Sequence, residues 1–238
     1  MMNGNQAMNT GIADRIEGIG ERIEKACDRA GRKRSEVSLM AVSKFHEAGE
    51  ILEALNAGVR LFGENRVQEA ERKFPPLRKE GAFALHMIGS LQRNKAKNAL
   101  EVFDAVQSLD RDGLIVTLGK LCAERNKTIP VLLELHTGEE SKSGYPDEES
   151  LFRAAEIICG FPALRLEGLM TMAPCTEAEE PVRRSFRALV KARAALKARF
   201  PELSLDTLSM GMTNDFEAAI EEGSTLVRIG TAIFGERK

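Results

Sequence analysis

Three observations predict an α/β fold in which a parallel sheet alternates with helices. Short apolar runs of strand-forming residues and longer amphipathic runs succeed one another along almost the whole chain. Several of the longer runs end in the glycine that a helix C-terminus favours. About eight strand–helix units follow one another with no long insertion, linker or low-complexity tract. That count suggests a closed (β/α)8 barrel of the TIM type, although an open doubly wound sheet fits the periodicity almost as well.

The elements can be taken in order. Residues 1–238 are expected to form one domain, with 1–10 a flexible N-terminus. Ile12, Ile16, Ile19 and Ile23 fall at helical spacing and predict an extra N-terminal helix over about 11–30. Strands are expected at 37–43 (VSLMAVS), 59–63 (VRLFG), 83–89 (FALHMIG), 105–109 (AVQSL), 131–137 (VLLELHT), 164–172 (LRLEGLMTM), 207–211 (TLSMG) and 226–234 (LVRIGTAIF). Between them lie helical segments such as EAGEILEALNAG, beginning near Glu47, then VQEAERKF, RDGLIVTLGKLCAERN, DEESLFRAAEIICG, EPVRRSFRALVKARAALKARF and DFEAAIEEG. One loop of unusual make-up, HTGEESKSGYPDEES (136–150), follows the fifth strand and would lie at a barrel's mouth.

Composition narrows the function classes. The 238 residues are 43% hydrophobic and 29% charged, ordinary for a globular chain with a substantial core. A formal net charge of −2 leaves no global basic field for nucleic acid or an anionic membrane, so any anion must be bound locally. Cys27, Cys122, Cys159 and Cys175 form no C-x-x-C pair and read as reduced, buried thiols of a cytosolic protein. No signal-peptide core and no run of about 18 apolar residues is present, which predicts a soluble, cytoplasmic protein. His46, His86 and His136 lack metal-ligand spacing and imply no metal site.

Lys44 follows the first apolar strand and so places an amine at a strand's carboxyl end. Ser209 and Gly211 close the seventh strand, Thr213 and Asn214 are placed to cap the next helix, and Gly230 and Thr231 come late in the eighth. Small residues with accessible backbone N–H groups after strands seven and eight are where a barrel builds a phosphate site. Arg228 interrupts the apolar run LVRIG, faces opposite to Val227 and Ile229, and needs a partner if it points inward. An amine, a phosphate cradle and an arginine at one mouth are parts suited to pyridoxal phosphate. A phosphate-sugar enzyme using Lys44 on a carbonyl substrate would explain the lysine and the cradle but not Arg228. Met170 and Met172 read as barrel filling, His86 as a hydrogen-bonded core residue, His46 as a surface or capping residue, and Lys142 as a loop lysine at the mouth.

The segments AVSKF, FGENRVQEA, HMIGSLQRNK, SKSG, LEGLMTM, SMGMTNDFEAAI and STLVRIGTAIFG together resemble the YggS/PROSC family of pyridoxal-phosphate homeostasis proteins, over about residues 37 to 235. The resemblance implies a single barrel similar to the N-terminal domain of alanine racemase, binding pyridoxal 5′-phosphate. It also implies that Lys44 forms the internal aldimine, a Schiff base. Ser209, Gly211, Gly230 and Thr231 would hold the phosphate, with Thr213 keeping a hydroxyl where the family often has serine. Arg228 would face the pyridine nitrogen and Asn65 would lie beside the ring. Where the family reads SKT-x-P, this chain has Phe45 and His46. A monomer that buffers the cofactor and delivers it to apo enzymes, without efficient turnover, is one function so implied. A racemase of the alanine-racemase type is the alternative, and it would require a second acid/base group opposite Lys44. The chain's single tyrosine, Tyr145, sits in the 136–150 loop, where a turn or lid role is expected.

Overall fold

The computed structural model describes residues 11–138 and 143–236. The chain runs α1 (Ile12–Arg29), β1 (Ser38–Val42), α2 (Ala48–Asn56), β2 (Leu61–Glu64), α3 (Val67–Leu77), β3 (Ala84–Met87), α4 (Ala96–Val102), β4 (Ala105–Leu109) and α5 (Asp112–Glu124). It continues with β5 (Ile129–Glu134), α6 (Glu148–Cys159), β6 (Leu164–Met170), α7 (Glu179–Arg199), β7 (Thr207–Ser209), α8 (Phe216–Glu221), β8 (Leu226–Ile229) and α9 (Thr231–Phe234). Each strand is parallel to its neighbour and β8 pairs with β1, so the sheet closes and the open alternative is excluded.

Alternation along each strand divides the side chains between two environments. Ala41, Phe62, Leu85, Val106, Val131, Leu169, Leu208 and Val227 belong to one continuous buried cluster beneath the helices. Phe62, Phe74 and Phe83 form an aromatic knot there, with centroids 5.8, 5.6 and 5.6 Å apart. Inside the barrel, Met40 and Arg228 stand level on adjacent strands. The interior is tightly filled, since a Cβ on Gly63 would meet the Met40 sulfur at 2.6 Å. Helix α1 buries Ile12, Ile19 and Ile23 as its spacing predicts.

Several element ends differ from the sequence expectation: β3, β5 and β6 end at Met87, Glu134 and Met170 rather than at 89, 137 and 172, and three further ends have a visible cause. Strand β8 stops at Ile229 because Gly230 (φ −113°, ψ −78°) leaves the extended region, and Thr231–Phe234 wind into α9 although their apolar residues suggest strand to 234. Strand β7 stops at Ser209, two residues early, because the chain turns at Gly211 (φ +95°). Helix α3 runs past Phe74 through Pro75 and Pro76, where a missing N–H and ring crowding disturb only the last turn. Helix α8 is held from outside: Arg22 and Arg29 of α1 pair with Glu217 and Glu221, and Arg183 of α7 pairs with Glu221 and Glu222. Cys27 and Cys122 are buried thiols, but Cys159 and Cys175 are exposed, against the expectation. Among the described residues no helix is long and apolar enough to cross a membrane.

Gly168 of β6 has φ +155°, and a Cβ there would lie 1.9 Å from the Thr207 carbonyl oxygen of β7. It also lies at a shift in the β5–β6 register. Gly168→Ala is expected to cost roughly 3 kcal/mol or more of unfolding free energy in urea titrations, and a loss below about 1 kcal/mol would contradict this packing.

Candidate functional site

A cavity of about 1390 Å³ opens at the carboxyl ends of the strands. Lys44, Asn65, Thr213, Arg228, Gly230 and Thr231 all border it, so the closed barrel brings together residues from both ends of the chain. Ser209 and Gly211 do not border it. Lys142 lies outside the described residues, while its neighbour Ser143 lines the cavity and donates to Glu134 Oε1 at 2.8 Å.

Lys44 sits one residue beyond β1's last flanking serine, half-buried in a tight turn. Phe45 follows with φ +71°, a left-handed conformation that sends its own side chain outward, 44% exposed, and His46 inward, 9% exposed. His46 is therefore not the surface residue its position suggests. Its ring stacks on Phe234 of α9 at 4.9 Å, and its Nδ1 lies 3.2 Å from Glu50 Oε1.

Asn65 follows β2. Its placement depends on Gly89 after β3, where a Cβ would meet the Asn65 carbonyl oxygen at 2.4 Å and its Cα at 2.8 Å. The Asn65 Oδ1 is a buried acceptor without a hydrogen-bond partner, and other atoms of the residue border the cavity. Gly230 packs on β1, with a Cβ position 3.2 Å from the Val42 carbonyl. It caps α9, its carbonyl accepting from the Ile233 and Phe234 amides at 2.9 and 3.0 Å.

Arg228 faces opposite to Val227 and Ile229, as alternation predicts; that side proves to be the barrel interior, where it is 4% exposed. Its Nη1 donates to Ser209 Oγ and its Nη2 to the Thr171 carbonyl, each at 2.8 Å. Ser209 Oγ in turn donates to Gln107 Oε1 at 2.7 Å, and Gln107 Nε2 lies 2.8 Å from His86 Nδ1. A hydrogen-bonded string thus crosses the interior from β8 through β7 and β4 to β3. Among the described residues no carboxylate forms an ion pair with Arg228. Burial pushes its pKa down to about 10, against a partial pull from Asp215 and Glu134, and it remains a cation at neutral pH.

Ser209 therefore orients Arg228 from behind the cavity surface. Gly211 has a packing role: its Cβ would strike Ala219 Cβ at 2.6 Å and Phe216 Cα at 2.9 Å, so only glycine lets α8 approach. The residue at the cap position before α8 is Asp215, not Thr213 or Asn214, and its Oδ1 accepts from the Met212 amide at 2.5 Å. Met170 and Met172 both line the cavity. Tyr145 is fixed away from it, 3% exposed, with its backbone bridged to Leu135 and its hydroxyl donating to Asp112 Oδ1 at 2.9 Å. Burial and that carboxylate both push the Tyr145 pKa up. Gln107 was not singled out by sequence reasoning, although a polar residue within AVQSL is a visible signal of an inward position.

The family model for the N-terminal domain of alanine racemase matches residues 18–238. The pyridoxal phosphate homeostasis protein of Vibrio cholerae is 43% identical over 231 residues, covering 95% of this chain and 96% of that one. Its counterpart from Aquifex aeolicus is 41% identical over 225 residues, covering 94% and 98%. The solved structure of PipY from Synechococcus elongatus PCC7942 with PLP bound is 34% identical at a TM-score of 0.82, covering 94% of this chain and 100% of that one.

His86 behaves as a hydrogen-bonded core residue, and burial lowers its pKa from 6.5 to about 4. The unfolded chain binds a proton there as pH falls below 6.5 while the folded protein resists until about 4, so stability is lost with falling pH across that window, by up to roughly 3 kcal/mol. In paired urea titrations His86→Asn should flatten the fall, and an unchanged wild-type slope in the variant would refute the assignment.

Proposed function

We propose, on the premise that this chain belongs to the family of pyridoxal phosphate homeostasis proteins, that it binds pyridoxal 5′-phosphate at the barrel mouth and keeps it available to other enzymes. The residues present suit that group. Arg228 is a buried cation with neutral oxygens as its protein acceptors, the Asn65 Oδ1 is a buried acceptor without a partner, and Lys44 lines the same cavity. The observation that carries the reading is this meeting of an amine, a guanidinium and a helix-opening glycine–threonine pair in one cavity.

When bound, pyridoxal phosphate supplies an aldehyde that condenses reversibly with a primary amine. Lys44 would provide that amine. Gly230, Thr231 and Thr213 would hold the phosphate through backbone N–H groups and hydroxyls. In this assignment Ser209 and Gly211 act indirectly, the first by holding Arg228 and the second by seating α8. Arg228 has donors only, so it would keep a proton off any acceptor nitrogen it faces. A carrier gains from that arrangement, because an unprotonated ring draws electrons weakly.

The racemase alternative finds little support. Two-base proton transfer needs a group opposite Lys44, and Tyr145 is bound to Asp112 away from the cavity while His46 is stacked on Phe234. Among the described residues lining the cavity there is no tyrosine or histidine. We assign the protein to the cytoplasm, in keeping with its four free thiols, as a monomer whose recipients are apo enzymes that use the cofactor.

Borohydride reduction of the loaded protein followed by peptide mass spectrometry should place the pyridoxyl group on Lys44. Lys44→Ala should lose the visible absorption band while keeping its far-UV circular dichroism. A pyridoxyl group found on another lysine alone would overturn the assignment.

A further inference from the structure

The turn that carries Lys44 is anchored by a buried charge cluster that cofactor binding does not itself explain. Lys73 of α3 is 2% exposed, and a buried ammonium is tolerated only when its hydrogens are used. All three are used: Lys73 Nζ lies 2.9 Å from Glu64 Oε1, 3.1 Å from Glu69 Oε2 and 3.1 Å from the Ser43 carbonyl oxygen. The carboxylates are engaged in turn by the same stretch of chain. Ser43 Oγ donates to Glu64 Oε1 at 2.8 Å, and the Phe45 backbone N–H donates to Glu69 Oε2 at 3.2 Å.

The Ser43 carbonyl belongs to the peptide unit before the Lys44 Cα, and the Phe45 N–H belongs to the unit after it. Both peptide planes therefore end on one cluster, and those planes determine the backbone angles of Lys44 and the direction of its Cα–Cβ bond. The left-handed φ of Phe45 also needs restraint, since a residue with a side chain rarely adopts it unaided. Burial pushes the Glu69 carboxyl up, but the hydrogen bonds from Lys73 and Phe45 outweigh this and hold it below its ordinary value, charged and able to accept.

We propose that Lys73, with Glu64 and Glu69, is a positioning device for the Lys44 amine, clamping the peptide planes on either side of Lys44 so that its side chain enters the cavity in one direction. The proposal rests on the reading of Lys44 as the cofactor-binding lysine. It makes Lys73 specific in shape as well as charge: a compact ammonium meets three acceptors, one just after β1, one on β2 and one on α3, that a planar guanidinium would not match.

The test compares Lys73→Met, Glu69→Ala, Glu69→Gln and a remote core control, Leu118→Ala, each at a temperature where circular dichroism shows it folded. Two quantities are read: pyridoxal phosphate affinity, and the pH profile of Lys44 acetylation by limiting acetic anhydride in the apo protein, followed by mass spectrometry. Lys73→Met and Glu69→Ala should weaken binding about tenfold or more and shift the acetylation profile. Glu69→Gln, whose amide oxygen still accepts from Phe45, should stay within about threefold of wild type, and Leu118→Ala should change neither quantity. If Lys73→Met and Glu69→Ala match Leu118→Ala in both readouts, the positioning role is wrong. Should Lys73→Met fail to fold, the Glu69 pair decides by the same criteria. Full binding by Lys44→Ala would instead overturn the reading of Lys44.

Discussion

Arg228 lies inside the barrel with Ser209 Oγ and the Thr171 carbonyl as its acceptors, and much of the mouth is arranged around that cation. Removing a guanidinium from water costs several kcal/mol unless its donors are satisfied, and neutral oxygens do this less completely than a carboxylate. Its supports are therefore tightly specified. Ser209 must turn its oxygen toward Arg228 and its hydrogen toward Gln107, which in turn faces His86. A carboxylate in place of Ser209 would quench the charge that the cavity displays.

Closure of the sheet makes this arrangement into a site. Strands β1 and β8 are neighbours, so Lys44 near the start of the chain and Gly230 near its end open on the same cavity. Close approaches then set its shape: Gly89 admits the Asn65 backbone, Gly211 admits α8, and Gly230 packs on the Val42 carbonyl. The strained turn at Phe45 belongs to the same design, since it separates an outward aromatic from an inward histidine and leaves Lys44 between them. A half-buried lysine at the open mouth suits a protein that must both hold and surrender its ligand.

How much of this was legible in the sequence depended on the range of the interactions. Periodicity marks all eight strands, and alternation sets Arg228 on the opposite face from Val227 and Ile229, because both follow from neighbouring residues; which face is the interior does not. Closure is not encoded locally; the count of units suggests it and the β1–β8 pairing establishes it. Ser209 looks like part of a phosphate cradle from its position, but its partners are 19 and 102 residues away and no local pattern reveals them. Lys73 reads as an ordinary helix lysine within VQEAERKF, and only the fold shows that its face meets Ser43 and Glu64. His46 is misplaced by sequence reasoning for a subtler cause, a single left-handed residue before it.

The claim that this chain holds cofactor for others is tested most directly by transfer. The loaded protein would be mixed with an apo enzyme that requires pyridoxal phosphate, and the recovery of that enzyme's activity compared with the rate at which cofactor escapes to an excess of a phosphatase trap. Recovery faster than escape, together with no accumulation of D-amino acid when L-alanine is added to the loaded protein alone, is the expected result. Recovery no faster than escape, or D-alanine formation that depends on Lys44, would contradict it.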